Sequence, residues 1–175
     1  MTIKTIFLDR DGVINEEVNY LYKIDDFQFI EGIFEACKEF QLNNFEIIII
    51  TNQSGISRGI YTETDFQMLT KWMVREFKKR SIEILDIFHC PHDSNSNCKC
   101  RKPKPGLFQV AGIKYPIDFE NSWMIGDKET DILAANNAGI HNTILVRSGH
   151  LIDEENTNAA FIVNSIKDSK KIIMG

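Results

Sequence analysis

The chain has 175 residues, 43 % apolar and 26 % charged, and its 20 basic and 25 acidic side chains leave a net charge of −5 at pH 7. That length fits one domain over residues 1–175 with a core that needs no crosslinks. The acidic balance argues against a general nucleic-acid binder, and no apolar run is long enough to cross a bilayer. Too few apolar residues precede Asp9 for a signal peptide, so a reducing cytoplasm is the expected compartment, with thiols reduced or metal-bound.

Taken in chain order, the first apolar stretch, Thr5 to Leu8, predicts a buried strand that runs into Asp9-Arg10-Asp11-Gly12. In an extended backbone, side chains at i and i+2 leave on one side, so Asp9 and Asp11 share a face while Arg10 points away. Gly12 permits a sharp turn. Two crowded carboxylates cost electrostatic energy unless a cation or a shared proton relieves them. That suits magnesium-dependent phosphoryl transfer with an aspartate nucleophile; a solvated Asp-Gly turn is the competing reading. Ile33, Cys37 and Phe40 then share one face of a first helix, and the isoleucines Ile47 to Ile50 predict a strand over 46–50 covered on both sides. Thr62 and Asp65 cap a second helix whose apolar face is Phe66, Leu69, Met73 and Phe77. A strand over 84–88 leads into an irregular segment rich in Cys, Asn, Ser, Lys and Pro, from Pro91 to Lys104. Pro105 fits the first turn of a third helix, a strand spans 123–125, and a fourth helix ends at Gly139. Two further strands cover 143–146 and 161–163. This alternation is the pattern of an α/β protein, a three-layer, Rossmann-like α/β/α arrangement around a parallel sheet.

Ligands of such sheets bind beyond the carboxyl ends of the strands. Those ends carry Asp9 and Asp11, then Thr51-Asn52-Gln53-Ser54-Gly55, then the Cys/His segment leading to Arg101-Lys102-Pro103, then Gly126-Asp127-Lys128 and Asp131. Each piece alone is an ordinary turn, but together they gather hydroxyl, amide, cation and carboxylate groups where a phosphate and a metal could sit. Cys90, His92, Cys98 and Cys100 offer three sulfurs and an imidazole, a set suited to tetrahedral Zn²⁺. A Cys98–Cys100 disulfide competes, with poor geometry across one intervening residue. His89 is expected to pack or hydrogen-bond, and Cys37 to lie in the core. His141 and His150 show no partner pattern and receive no role.

These segments resemble the haloacid dehalogenase superfamily of phosphatases, through Asp9/Asp11, Thr51, Lys102 and Asp127/Asp131. Within it, the runs Phe7 to Asn15, Thr51 to Gly59, Cys98 to Gly106 and Gly126 to Lys128 are most similar to the D-glycero-D-manno-heptose 1,7-bisphosphate phosphatases. The similarity extends to Gly149, nearly the whole chain. The resemblance implies that Asp9 attacks phosphorus, that Asp11 serves as acid and then base, and that Mg²⁺ is held by Asp9, the Asp11 carbonyl and Asp127. It further implies that Thr51 and Lys102 neutralise the phosphoryl oxygens and that the loop zinc is structural. Glu17, Val18, Asn19 and Tyr20 would contact the phosphorylated sugar, as would Asn52, Gln53, Ser54, Arg101 and Lys128. Arg10 is counted with them, and Arg58 and Arg101 are the candidates for the phosphate that is not cleaved. Asn19 stands where the family often has glycine, and asparagine tolerates the left-handed turn. Asp131 either holds Lys128 or a metal-bound water, or is a helix-surface charge. Neither interval before Cys98 has room for a cap domain, so an open site is expected, walled by loops over 16–24 and 56–61 and the zinc loop. The implied role is supply of activated heptose for lipopolysaccharide or surface glycans, by a monomer without membrane or nucleic-acid partners. The five residues between His92 and Cys98 are closer to histidinol-phosphate phosphatases, which stand as an alternative. A polynucleotide 3′-phosphatase and a catalytically inert zinc-stabilised binding module are more distant ones.

Overall fold

Six short apolar segments pair in parallel in the computed structural model, which describes residues 1–175. They are β1 (Lys4–Leu8), β2 (Phe45–Asn52), β3 (Asp86–Cys90), β4 (Trp123–Gly126), β5 (Asn142–Val146) and β6 (Phe161–Val163), ordered β3-β2-β1-β4-β5-β6. All five pairings are parallel. The helices that connect or follow them are α1 (Ile33–Leu42), α2 (Glu63–Lys78), α3 (Gly106–Lys114), α4 (Glu129–Asn137) and α5 (Ile166–Ile173). None is long and apolar enough to cross a membrane.

The two-residue period of the strands splits the core into two layers. Ile6 and Leu8 of β1 join Ile47 and Ile49 of β2 under Cys37 and Phe40 of α1 and Leu69, Met73 and Phe77 of α2. Phe7, Ile48 and Ile50 face the opposite way, against Leu107, Phe108 and Ala111 of α3 and Ala134 and Ala135 of α4. All four isoleucines of β2 are fully buried, as expected of a strand covered on both sides.

Local chemistry sets the helix ends. At α2 the Thr62 hydroxyl accepts from the Asp65 N–H (3.1 Å) while the Asp65 carboxylate accepts from the Thr62 N–H (2.8 Å), the reciprocal box read from the sequence. After α4, Gly139 takes φ +90, and the Ile140 N–H reaches back to the Ala135 carbonyl (2.9 Å). Pro105 is not in the first turn of α3: it caps it from outside, and the helix begins at Gly106. Helix α5 was not anticipated. Of its apolar residues only Ile166 is fully buried, and its lysines are held to the α1 region by Lys167–Glu31 (2.6 Å) and Lys170–Glu39 (3.1 Å). Ile166, Ile172 and Ile173 share the face that packs on the core, so the amphipathic pattern was present in the sequence and was not assigned a helix.

The chain leaves β1 for β2 on one side and returns to β4 on the other. Such a reversal of strand order opens a crevice at the carboxyl ends of the two central strands. In register, Leu8 lies between Ile49 and Ile125, so the residues after β1 and β4 emerge side by side.

Candidate active site

Asp9 follows β1 directly, and its N–H still bonds to the Ile125 carbonyl of β4 (3.0 Å), which seats it in that crevice. Beyond it the strand alternation stops, because Gly12 turns the chain at φ +83. Arg10 therefore does not point away. Its guanidinium, 2 % exposed, folds back to donate to Asp11 Oδ1 (2.9 Å) and to the Leu21 carbonyl (3.1 Å). Asn15 Nδ2 donates to Asp11 Oδ1 (3.0 Å) and Gln53 Nε2 to Asp11 Oδ2 (3.1 Å), so three side chains fix this carboxylate at the cleft floor.

Lys102 enters from the loop after β3 and is almost fully buried. An ammonium has three hydrogens. Here its Nζ donates to the Ile50 carbonyl (2.8 Å) and pairs with Asp9 Oδ1 (3.0 Å) and Asp131 Oδ1 (2.7 Å). Burial opposes its charge, but Asp131 and Asp9 outweigh that and hold the lysine above its ordinary value. Burial pushes Asp9 up to about 6, with Lys102 pulling the other way. Asn52 clamps the Lys102 main chain, donating to its carbonyl (3.2 Å) and accepting from its N–H (3.1 Å). Asp131 is neither a surface charge nor a partner of the Lys128 side chain. It is 1 % exposed, takes Lys102 on Oδ1, and accepts on Oδ2 from the N–H groups of Asp127 and Lys128, both at 3.1 Å, at the start of α4.

Asp127 follows β4 and is wholly buried. A β-carbon at Gly12 would lie 2.4 Å from its Oδ2 and one at Gly149 2.1 Å from the same atom, so only glycines allow the backbone to close on this carboxylate from both sides. Burial, then the Asp9 charge, raise its proton affinity, opposed by His150. Its Oδ1 has no hydrogen-bond partner although it is buried. Donor atoms of Asp9, Asp127 and Asp131 lie within 4.8 Å of one another. Asp131 already accepts from Lys102 and two N–H groups, whereas Asp127 Oδ1 has no partner, so Asp9 and Asp127 are the acids better placed for a cation. A buried, partnerless carboxylate oxygen beside a second carboxylate fits a hard, oxygen-seeking ion such as Mg²⁺.

The cleft above these residues has a volume of about 260 Å³ and nineteen lining residues, of which only four are hydrophobic, so its ligand must be strongly polar. Glu17, Val18, Asn19 and Tyr20 form one wall, Asn52, Gln53, Ser54 and Arg58 a second, and Arg101 a third. Lys128, already among the expected contacts, is joined by Thr130 and His150 on a side that the three expected loops do not supply. Thr51 does not reach the wall: it lies 1 % exposed behind Gln53, whose Nε2 donates to its hydroxyl (2.9 Å). The left-handed residue of the first wall is Tyr20 (φ +57), not Asn19. Its hydroxyl accepts from Arg58 Nη1 (2.8 Å), which ties two walls together. Burial and the Asp11 charge push Glu17 up to about 7, against the pull of His150 and Lys128.

Beside the third wall, the Cys/His segment draws its four donors together. Cys90 Sγ lies 3.8 Å from Cys98 Sγ, 3.0 Å from Cys100 Sγ and 3.4 Å from His92 Nδ1, and His92 Nδ1 lies 3.3 Å from Cys100 Sγ. Sulfurs about 2.3 Å from one tetrahedral zinc would stand about 3.8 Å apart. None of the four cysteines is in a disulfide. Burial works to raise the Cys98 thiol, but hydrogen bonds from the Arg101 N–H and the neighbouring thiols outweigh it and bring it down to about 6. This donor set could hold zinc. Arg101 Nη1 donates to the His92 carbonyl (3.1 Å), linking the segment to the cleft wall. His89 stands apart, tilted against Phe66 (4.2 Å between ring centroids) and bonded to Glu63 (3.1 Å).

Residues 99–169 match the family described as HAD-hydrolase-like. The D-glycero-alpha-D-manno-heptose-1,7-bisphosphate 7-phosphatase of Photorhabdus laumondii is 46 % identical over 177 residues, which cover 97 % of each chain. The chain belongs to the heptose-1,7-bisphosphate 7-phosphatase family. The D-glycero-beta-D-manno-heptose-1,7-bisphosphate 7-phosphatase of Pasteurella multocida is 41 % identical over 179 residues, covering 98 % of this chain and 97 % of its own. In structure, the D,D-heptose 1.7-bisphosphate phosphatase from B. bronchiseptica, complexed with magnesium and phosphate, matches 98 % of each chain with a TM-score of 0.85 at 26 % identity. The alternative that the short zinc loop raised, a histidinol-phosphate phosphatase, is not favoured beside identity of this extent.

His150 carries a contact that its sequence context did not announce. Its ring Nδ1 lies 2.6 Å from Asp127 Oδ2 and its Nε2 3.7 Å from Glu17. The rule of looking beyond strand ends, applied to β5 as it was to β1 to β4, would have found it. Tyr61 was missed too; its hydroxyl donates to Gln53 Oε1 (2.5 Å) from the loop before α2.

Proposed function

We propose that this chain is a magnesium-dependent phosphatase that removes the 7-phosphate of D-glycero-D-manno-heptose 1,7-bisphosphate through an aspartyl phosphate. The observation that carries the reading is Asp9 at the switch point, paired with Lys102 at 3.0 Å and flanked by Asp11 and Asp127. With its proton affinity at about 6, Asp9 is mostly ionised at neutral pH and able to act as nucleophile. Its carboxylate oxygen forms the bond to phosphorus while the bond from phosphorus to the sugar O7 breaks, and Asp11 gives a proton to that leaving oxygen. Asp11 then takes a proton from the water that attacks the aspartyl phosphate, which frees inorganic phosphate and restores Asp9. Lys102 holds the phosphoryl oxygens, where positioned charge does most of the catalysis, while Thr51, buried behind Gln53, steadies that side chain at the cleft instead of meeting phosphate itself. Bound by Asp9, Asp127 and the Asp11 carbonyl, Mg²⁺ would neutralise the charge brought together by phosphate and carboxylates.

Arg10 stays with the floor, where it orients Asp11. The substrate meets Glu17, Val18, Asn19 and Tyr20 on one side and Asn52, Gln53 and Ser54 on the other, with Lys128 opposite. Arg58 and Arg101 grip the phosphate that remains. Zn²⁺ on Cys90, His92, Cys98 and Cys100 pins the segment that carries Arg101 and Lys102. Under this reading the protein works as a monomer in the cytoplasm, in the supply of activated heptose. Phosphate release from heptose 1,7-bisphosphate by wild type and Asp9→Asn is the test. The variant should lose at least about 10³-fold in kcat. Wild-type turnover in that variant, or a higher kcat/KM on histidinol phosphate, would overturn the proposal.

A further inference from the structure

The strongest unassigned feature of the cleft is the contact between His150 and Asp127. Both oxygens of a metal-binding carboxylate are alike until something distinguishes them. Here Oδ2 accepts twice from one residue, from the His150 backbone N–H (3.0 Å) and from its ring Nδ1 (2.6 Å), while Oδ1 is left without a partner. A carboxylate oxygen accepts, so the hydrogen of this contact lies on Nδ1. Gly12 and Gly149 close on the same Oδ2 and leave it no room to swing.

We propose that His150 is a positioning residue that holds Asp127 with Oδ1 presented to the divalent cation. The inference rests on the magnesium-site reading above and goes beyond it to a residue that is itself no ligand. Partners of this kind orient metal-bound groups, and their loss costs about 10- to 100-fold in metal affinity. The backbone N–H survives any substitution, so the low end of that range applies here. The other face of the ring looks toward the substrate wall, with Nε2 3.7 Å from Glu17, beyond hydrogen-bond reach.

The test is calorimetric titration of Mg²⁺ into the full-length, zinc-loaded chain without substrate, in buffer free of chelator. Asparagine places an amide N–H where Nδ1 stands, whereas glutamine carries its amide one bond further out. His150→Ala and His150→Gln should each bind Mg²⁺ about tenfold more weakly than wild type, and His150→Asn should stay within about threefold. Equal weakening in all three variants would reveal a merely structural role and overturn the inference, as would wild-type affinity in His150→Ala. Asp127→Asn separates the two levels. If it loses Mg²⁺ while His150→Ala and His150→Gln bind normally, the cation site stands and the positioning role falls. If it binds as wild type does, the cation site and the positioning role fall together.

Discussion

Replacing Lys102 by Met keeps most of the side-chain volume and removes the ammonium, which leaves the Ile50 carbonyl, Asp9 and Asp131 without their common donor. Removing one partner of a buried ion pair costs about 3–5 kcal/mol, because the remaining charge is left uncompensated. An orphaned carbonyl adds about 1–3 kcal/mol where relaxation cannot re-pair it. The expected loss is therefore at least about 3 kcal/mol, out of a total near 5–15 kcal/mol for a domain. Urea unfolding of the zinc-loaded, magnesium-free protein measures it. Adding Asp131→Asn to Lys102→Met removes one stranded charge, and the amide oxygen can still accept from the Asp127 and Lys128 N–H groups. The second change should therefore recover about 1–2 kcal/mol, although alone it destabilises, and this coupling is the signature. The pH dependence has a definite sign. Asp9 already binds its proton more tightly folded than unfolded, at about 6 against 3.8, and loss of Lys102 removes the one pull that opposed this. Its contribution is then full below about 4 and disappears as pH rises through 6 and above. Lys102→Met should gain stability as pH falls from 8 toward 5. Additive substitutions with a flat pH profile would refute the reasoning.

Cys100→Ser should reduce bound zinc from about one per chain to near zero and lower kcat/KM, since Arg101 is anchored to the His92 carbonyl of the same segment; metal analysis beside steady-state kinetics checks both. Arg58→Ala should raise KM about tenfold and leave kcat within about twofold, the pattern of a group that grips substrate and transition state alike. A matching fall in kcat would place Arg58 at the reacting phosphate instead.

How much could be read in advance depended on whether a residue's partner lay nearby in sequence. The isoleucines of β2 declare a strand buried on both faces without reference to anything else, and Thr62 with Asp65 declares a helix start. Asp9, Lys102 and Asp127 could be brought together because each follows a strand, and parallel sheets gather such ends. Asp131 defied that logic: its two oxygens are shared between the first turn of its own helix and a lysine twenty-nine positions earlier, and only packing shows it buried. His150 lacked any neighbour at metal-ligand spacing. Tyr20 takes the left-handed backbone although Asn19 beside it is the better-suited residue type, with its hydroxyl bonded to Arg58 from a different loop. Local preference yielded there to a contact between walls.

Asp9, the proposed nucleophile, and Asp127 follow neighbouring central strands, yet the chain supplies them from opposite sides of the Cys/His segment. A nascent polypeptide that stops short of Trp123 would already carry Asp9, Asp11 and Lys102, but no second acid to share the cation and no Asp131 to balance the lysine. On the proposed roles, hydrolytic competence arrives only when β4 docks beside β1, and an unfinished chain should stay chemically silent until late in its own synthesis.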